Sequence, residues 1–272
     1  MARAADDGYE NDLLPGLRAT VEAAHIADEL AFAAARIEQL RTEPHGLYAD
    51  VVALDDPEEQ AWLVFQIAYI SPREGDDPFG EIARVRTTWA SGELPDLADV
   101  ELGPRTAHDA SRGTRTLEAY RAWAERAGSQ AAGLSGDPTW TPQRRFDRAF
   151  ERLAMRGFPR GPRYELLVLL GSLRVFDMRP WSLHLVDAMD PTTIAAKRVF
   201  GIGDAINLQR RASDLAATLG VPMEALDLAL LNWSRGTDDR ITGGAPDLDY
   251  EERAVALRHQ LRAEPDAEEA PA

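Results

Sequence analysis

The chain has 272 residues, 46 acids against 30 bases, a formal charge of −16 and no cysteine. Zero cysteines exclude a disulfide framework, a Cys-ligated zinc or iron–sulfur site and a thiol nucleophile. No stretch approaches the ~20 apolar residues that span a bilayer and the start lacks the apolar core of a signal peptide, so a soluble, cytoplasmic protein is expected.

In chain order, residues 1–13 are acidic and aperiodic, and a disordered N-terminus is expected there. An N-terminal helical lobe follows over 14–91. Its first long segment, about Leu17 to Arg41, repeats Ala23, Ile26, Leu30, Ala33, Ile37 and Leu40 close to a 3.6-residue period. Asp56-Pro57-Glu58-Glu59 reads as a helix start, with a capping aspartate, proline at the first helical position and acids in the first turn. The helix it opens runs to about Ile70 and is apolar nearly all round, which predicts a central, buried element. Asp77-Pro78 starts another, through Ile82, Val85 and Trp89.

Residues 92–113 dissolve into Gly, Pro and Asp and read as a linker loop. The C-terminal helical lobe, 114–262, begins with a helix about Thr116–Ala127. Thr141-Pro142 opens a helix with Phe146, Phe150, Leu153 and Ala154 on one face and Arg144, Arg145, Arg148 and Arg152 on the other. Glu165 to Arg174 contains Leu-Leu-Val-Leu-Leu, a buried helix by its flanks, with a buried strand as the alternative. Asp204–Leu219 ends at Gly220, Pro222 opens Met223–Trp233, and a last helix spans about Tyr250–Arg262. The acidic tail, 263–272, is again expected to be disordered. The expected fold is all-α, compact and two-lobed.

Charge is unevenly spread. Thr141 to Arg211 holds 13 bases and 7 acids, a local +6, while the rest of the chain carries −22. Such a segment fits either an anion-binding face or the solvated sides of helices paired to neighbouring acids. Of the 30 bases only Lys197 is lysine, and lysine, unlike arginine, becomes a nucleophile when desolvated. The five histidines (His25, His45, His108, His184, His259) show no metal-ligand spacing. No dinucleotide fingerprint, P-loop or serine elbow is present, so no metal and no cofactor is expected.

Two glycine-containing stretches interrupt the helices: Met155-Arg156-Gly157-Phe158-Pro159-Arg160-Gly161-Pro162-Arg163-Tyr164 and Val199-Phe200-Gly201-Ile202-Gly203-Asp204. Tight turns of this kind leave backbone N–H groups pointing outward at a helix N-terminus, a geometry suited to anions, although glycine is also what any sharp turn demands. The order helix, Gly157-Phe158-Pro159-Arg160, apolar helix, then Thr193-Ile194-Ala195-Ala196-Lys197-Arg198-Val199 resembles the second half of helix-hairpin-helix DNA glycosylases of the endonuclease III type. It covers about residues 141–236 and places Leu228–Trp233 where that family ends its helical barrel. A divergent branch of the same superfamily, the thymine-hypermodifying pyrophosphorylases, is similar in texture.

The resemblance implies DNA as partner and excision or modification of a base, with a place in DNA repair or DNA modification. Gly157, Gly161, Gly201 and Gly203 would hold phosphates, Arg144, Arg148, Arg160 and Arg163 would line the track, and Tyr164 or Trp181 would stack on a base. The departures are specific. Pro159 stands at the hairpin's second glycine and removes a donor. Gly161 falls where lyase members carry a Schiff-base lysine. Lys197 falls at the family's aspartate, where an ammonium opposes a developing oxocarbenium ion, so an altered catalytic residue is implied. Lys197 and Asp190 are the catalytic candidates, and Asp190 and Asp204 also read as helix caps. Three readings stay open: a base-directed enzyme, a non-catalytic nucleic-acid binder, and an acidic helical protein whose partner is another protein.

Overall fold

Asp56 accepts a hydrogen bond from Glu58 N at 2.9 Å, and Pro57 takes the first helical position. The computed structural model describes residues 4–263 except 186 and 246, and this helix start is where the sequence places it. Among the described residues there are twelve α-helices, a single 3-10 turn (Thr237–Asp239) and no strand. None of the helices is long and apolar enough to cross a membrane. The chain divides into two units, each of which gathers separate stretches of sequence.

The first unit comprises the described parts of Met1–Ile37, Trp181–Ile241 and Asp247–Ala272. It holds α1 (Thr20–Thr42) as far as Ile37, α9 (Pro191–Phe200), α10 (Ala205–Leu219), α11 (Met223–Arg235) and α12 (Glu251–Leu261). α11 packs on α9 and α10, and Trp233 is fully buried with its Nε1 donating to Glu22 O at 3.0 Å. The acidic N-terminal stretch, expected to be disordered, contains a buried Tyr9 whose hydroxyl donates to Leu261 O at 2.7 Å. Of the acidic tail, residues 264–272 lie outside the described residues. A buried polar cluster crosses the unit: Glu29, with no exposed surface, accepts from Arg240 Nη2 at 2.7 Å and from Asn232 Nδ2 at 3.1 Å.

The second unit comprises Glu38–Pro180 and residues 242–245 of the segment that follows Ile241. Its centre is α3 (Pro57–Ile70), in which every residue from Ala61 to Ile70 is buried. α2 (Leu47–Ala53), α6 (Gln130–Ser135) and α8 (Arg160–Ser172) pack on it, so Leu-Leu-Val-Leu-Leu is helical and faces α3. Phe65 stacks on Tyr120 of α5 (Arg115–Ala127) with ring centroids 3.7 Å apart, and Tyr120 donates to Gln130 Oε1 at 2.9 Å. Burial pushes the Tyr120 hydroxyl well above its ordinary pKa.

Two elements differ from the periodicity. The helix after Asp77-Pro78 is the short α4 (Gly80–Val85), not a run to Trp89. Side chains of α3 capture the chain beyond it: Gln66 accepts from Thr87 N at 2.9 Å, and the Glu59 carboxylate accepts from Trp89 N and Ala90 N at 2.7 and 2.9 Å. α8 begins at Arg160, five residues earlier than the apolar run, because Pro159 and Pro162 fall at its cap and in its first turn, where a missing N–H costs nothing. α2 and α6, at seven and six residues, are too short to leave a periodic pattern.

Candidate functional site at the Gly157 turn

α7 (Pro142–Arg152) is capped by Thr141, whose hydroxyl accepts from Arg144 N at 3.2 Å. The chain leaves it through Leu153 and turns at Gly157, where φ is +89°, before Pro159 caps α8. A side chain at Gly157 would be strained in that conformation, and its Cβ would collide with Thr116 Oγ1 and stand 3.0 Å from Arg112 Nη1.

The facing wall comes from the loop read as a linker, and the end of α3 holds it. Gly103 N donates to Ile70 O at 3.1 Å, Ala107 N and Thr106 Oγ1 donate to Tyr69 O at 2.8 and 2.9 Å, and Arg105 N donates to Ser71 Oγ at 3.2 Å. The Arg105 guanidinium forms a buried ion pair with Glu165 of α8 at 2.9 Å. These bonds set Ala107, Asp109 and Arg112 opposite Met155, Gly157, Phe158 and Pro159 around a cleft of about 310 Å³.

Within the cleft, Asp109 Oδ1 accepts from Ser111 Oγ at 2.7 Å and Ser111 N at 2.9 Å. Those two bonds keep its carboxyl below the usual range. Arg112 Nε lies 3.4 Å from Asp109 Oδ2, and both side chains are accessible, at 39% and 47% of their surface. Beside them the Tyr69 hydroxyl is 3.2 Å from His108 Nδ1, and burial pushes the tyrosine pKa up and the histidine pKa down. One acid and one base therefore line a cleft that is otherwise apolar.

The residues singled out in the sequence divide between the units. Gly157, Arg160, Gly161, Arg163, Tyr164, Arg144 and Arg148 belong to the second. Arg160 is buried with its guanidinium 5.0 Å from the Tyr164 ring, and Tyr164 has no exposed surface, its ring packed 5.2 Å from Phe146. A base cannot stack on it there. Arg163 lies 3.9 Å over the Phe150 ring; burial, then the neighbouring Arg160 charge, lower its pKa from the ordinary value. Arg144 lies 5.0 Å over Trp140, and Arg148 is paired to Glu151 at 2.8 Å. Gly161 lies in the first turn of α8, with Arg105 Nη2 as its nearest neighbour at 4.0 Å from a built Cβ.

In the first unit, Asp190 caps α9, accepting from Thr193 N at 2.9 Å and Thr193 Oγ1 at 3.1 Å. Lys197 is half-buried in the last turn of that helix. Gly201 ends the helix at φ +61°, and Gly203 precedes Asp204, the cap of α10. Gly16 N donates to Val199 O at 3.0 Å, and its Cα lies so close to this turn that a Cβ on it would strike Arg198 O. Trp181 is 54% exposed. No motif marks Asp109, Arg112 or His108. The only local hint is the Asp109-Ala110-Ser111 sequence, which favours a side-chain-stabilised turn.

Fold and cleft together define an all-helical protein with one acid and one base in a cleft at a glycine turn between two helices. Residues 105–242, just over half of the chain, match the family described as alpha-glutamyl/putrescinyl thymine pyrophosphorylase clade 3, and the chain belongs to that family. The matched segment contains every residue that lines the cleft. No curated protein and no solved structure matches the chain.

Proposed function

We propose that this protein is an enzyme that modifies thymine bases in DNA, an amine of the glutamyl or putrescinyl kind named for its family displacing pyrophosphate from an already activated thymine, as the word pyrophosphorylase implies. The observation that carries the reading is the position of the cleft inside the matched segment, with Asp109 and Arg112 as accessible charged groups. The chemistry of the site suits a small polar reactant: an anionic carboxylate and a guanidinium above an apolar floor of Met155, Phe158 and Pro159.

The helix-hairpin-helix resemblance supports DNA as the larger substrate. α7 presents Arg144 and Arg148 at the surface of the second unit, and in the first α9 presents Lys197 and is followed by the Gly201–Gly203 turn that leads into α10. These groups would contact phosphates, and the exposed Trp181 would stack on an unpaired base. Base excision through Lys197 is the alternative chemistry on the same DNA-directed reading. It predicts a borohydride-trapped adduct on abasic DNA that Lys197→Ala abolishes. A second reading, a helical interaction protein, draws on the Arg148–Glu151 and Arg145–Asp177 pairs, which neutralise part of the basic segment.

Fluorescence anisotropy on labelled duplex and single-stranded DNA tests the proposal. Affinity should fall steeply with salt, and Arg144→Gln with Arg148→Gln should reduce the slope by about one unit for each phosphate that is no longer neutralised. Binding that is absent at low salt, or insensitive to salt, contradicts it.

A further inference from the structure

Among the described residues, four of the seven exposed large apolar side chains fall between Trp181 and Ile206 of the first unit. We propose that Trp181, Ile206 and Arg210 form a docking face for an unpaired DNA strand, organised by Gln209, and that the protein takes single-stranded DNA in preference to duplex. The inference rests on the reading of the chain as a DNA-modifying enzyme and names the form of DNA that this face receives.

α10 builds the face. Ile206 is 80% exposed in its first turn, and Gln209 and Arg210, three and four residues on, lie on the same side of the helix. Gln209 brings the Trp181 segment there: Nε2 donates to Trp181 O at 3.2 Å, and Oε1 accepts from Ser182 Oγ and Leu183 N, each at 2.9 Å. The captured chain stays bent. His184, the residue after Leu183, has φ +52°, a left-handed conformation that a non-glycine residue keeps only where its surroundings impose it. The Trp181 indole, 54% exposed, is thus carried on a fixed backbone, and an ordered platform loses little freedom when a ligand stacks on it.

Charge names the occupant. Arg210 Nη2 donates to the neutral Asn207 Oδ1 at 3.3 Å, and Arg211 Nη1 donates to the Asp12 carbonyl at 2.9 Å. Among the described residues no carboxylate pairs with either guanidinium. Asp204, the acid at this end of α10, is engaged as its cap by Asn207 N and Nδ2 at 2.9 and 3.0 Å. The second unit differs, since Arg145 and Arg148 are paired there to Asp177 and Glu151. An apolar face beside uncompensated guanidinium groups suits a ligand that offers flat apolar surfaces and negative charge together. A single strand does so, with open base faces and phosphates. In duplex DNA the base faces are stacked on one another, and Trp181 and Ile206 reach them only by unstacking a step.

The test is fluorescence anisotropy of the full chain with a labelled oligothymidylate and with a duplex of the same length. The single strand should bind about tenfold tighter or more. Ile206→Ser changes a side chain that the core does not use; it should weaken the single strand about fivefold and leave the duplex unchanged. Arg210→Gln should lower the salt slope on the single strand by about 0.7. Gln209→Ala should weaken the single strand as Trp181→Ala does, and the double variant should be no weaker than either, because Gln209 acts through Trp181. Duplex bound as tightly as the single strand overturns the inference. So do Ile206→Ser and Arg210→Gln with the parent's behaviour, additive losses at Gln209 and Trp181, or no binding of either DNA. A glutamate–tyrosine copolymer bound where neither DNA binds gives the face to an acidic protein instead. These readouts do not depend on DNA modification. A single-strand preference carried by these residues in a protein that leaves thymine unaltered upholds the face and removes the thymine reading. Thymine altered by a chain that prefers duplex does the reverse.

Discussion

Arg105 Nη1 lies 2.9 Å from Glu165 Oε2, and the two side chains are 7% and 12% exposed. This ion pair ties the loop that carries Asp109 and Arg112 to the helix that follows the Gly157 turn. Removing one member of a buried pair strands the other charge, at a cost of about 3–5 kcal/mol, whereas replacing both by apolar groups costs far less. Urea unfolding should therefore show a large loss for Glu165→Ala and a smaller one for Arg105→Met with Glu165→Leu. Equal losses would contradict the pairing.

Gly157→Ala places a Cβ at φ +89° against Thr116 Oγ1. Strain of this kind costs on the order of 1–3 kcal/mol. The variant should unfold earlier in urea and also bind the cleft ligand less well, because Arg112 is pushed from its place. A variant with the parent's stability and ligand affinity would show that the turn relaxes freely.

How much of this is legible in the sequence depends on what holds each part. α3 is written plainly, since Asp56, Pro57 and the two glutamates are local signals and its apolar run needs no partner to be recognised. The cleft is different. Asp109 and Arg112 sit in an aperiodic stretch, and backbone bonds from Gly103 and Ala107 to the end of α3 carry them to Gly157. Backbone bonds between distant segments leave no residue-type signature. Tyr164 shows a third case: a helix starting at Glu165 leaves it in a turn and free to stack, whereas the start at Arg160 turns it into the core beside Phe146.

The placements of Tyr164 and Trp181 give opposite expectations for DNA. Trp181→Ala should weaken single-stranded DNA binding by about 1–3 kcal/mol, the worth of one stacked base. Tyr164→Phe keeps the buried ring and should leave binding unchanged. Anisotropy titrations compare the two, and a loss in Tyr164→Phe alone would reverse the assignment.

Glu29 makes stability depend on pH. Burial alone would raise its pKa, but the His25 contact and the Arg240 bonds outweigh burial and hold it below the ordinary 4.5. A carboxyl lowered in the folded state contributes fully above its unfolded value near 4.5, and that contribution is lost as pH falls through the lower folded value. Arg240→Gln removes bonds that lower the Glu29 pKa, so the folded value moves up from its lowered position and the stability lost on acidification shrinks. Thermal unfolding between acid and neutral pH reads both slopes; parallel profiles for parent and variant would contradict the account.

The most direct measurement is nucleoside mass spectrometry on DNA from the protein's native setting, with its gene intact, deleted, and restored as parent or as Asp109→Asn. A thymidine derivative heavier than thymidine should vanish on deletion, return with the parent and stay absent or strongly reduced with the variant. Identical nucleoside profiles in all four would contradict thymine modification by this chain.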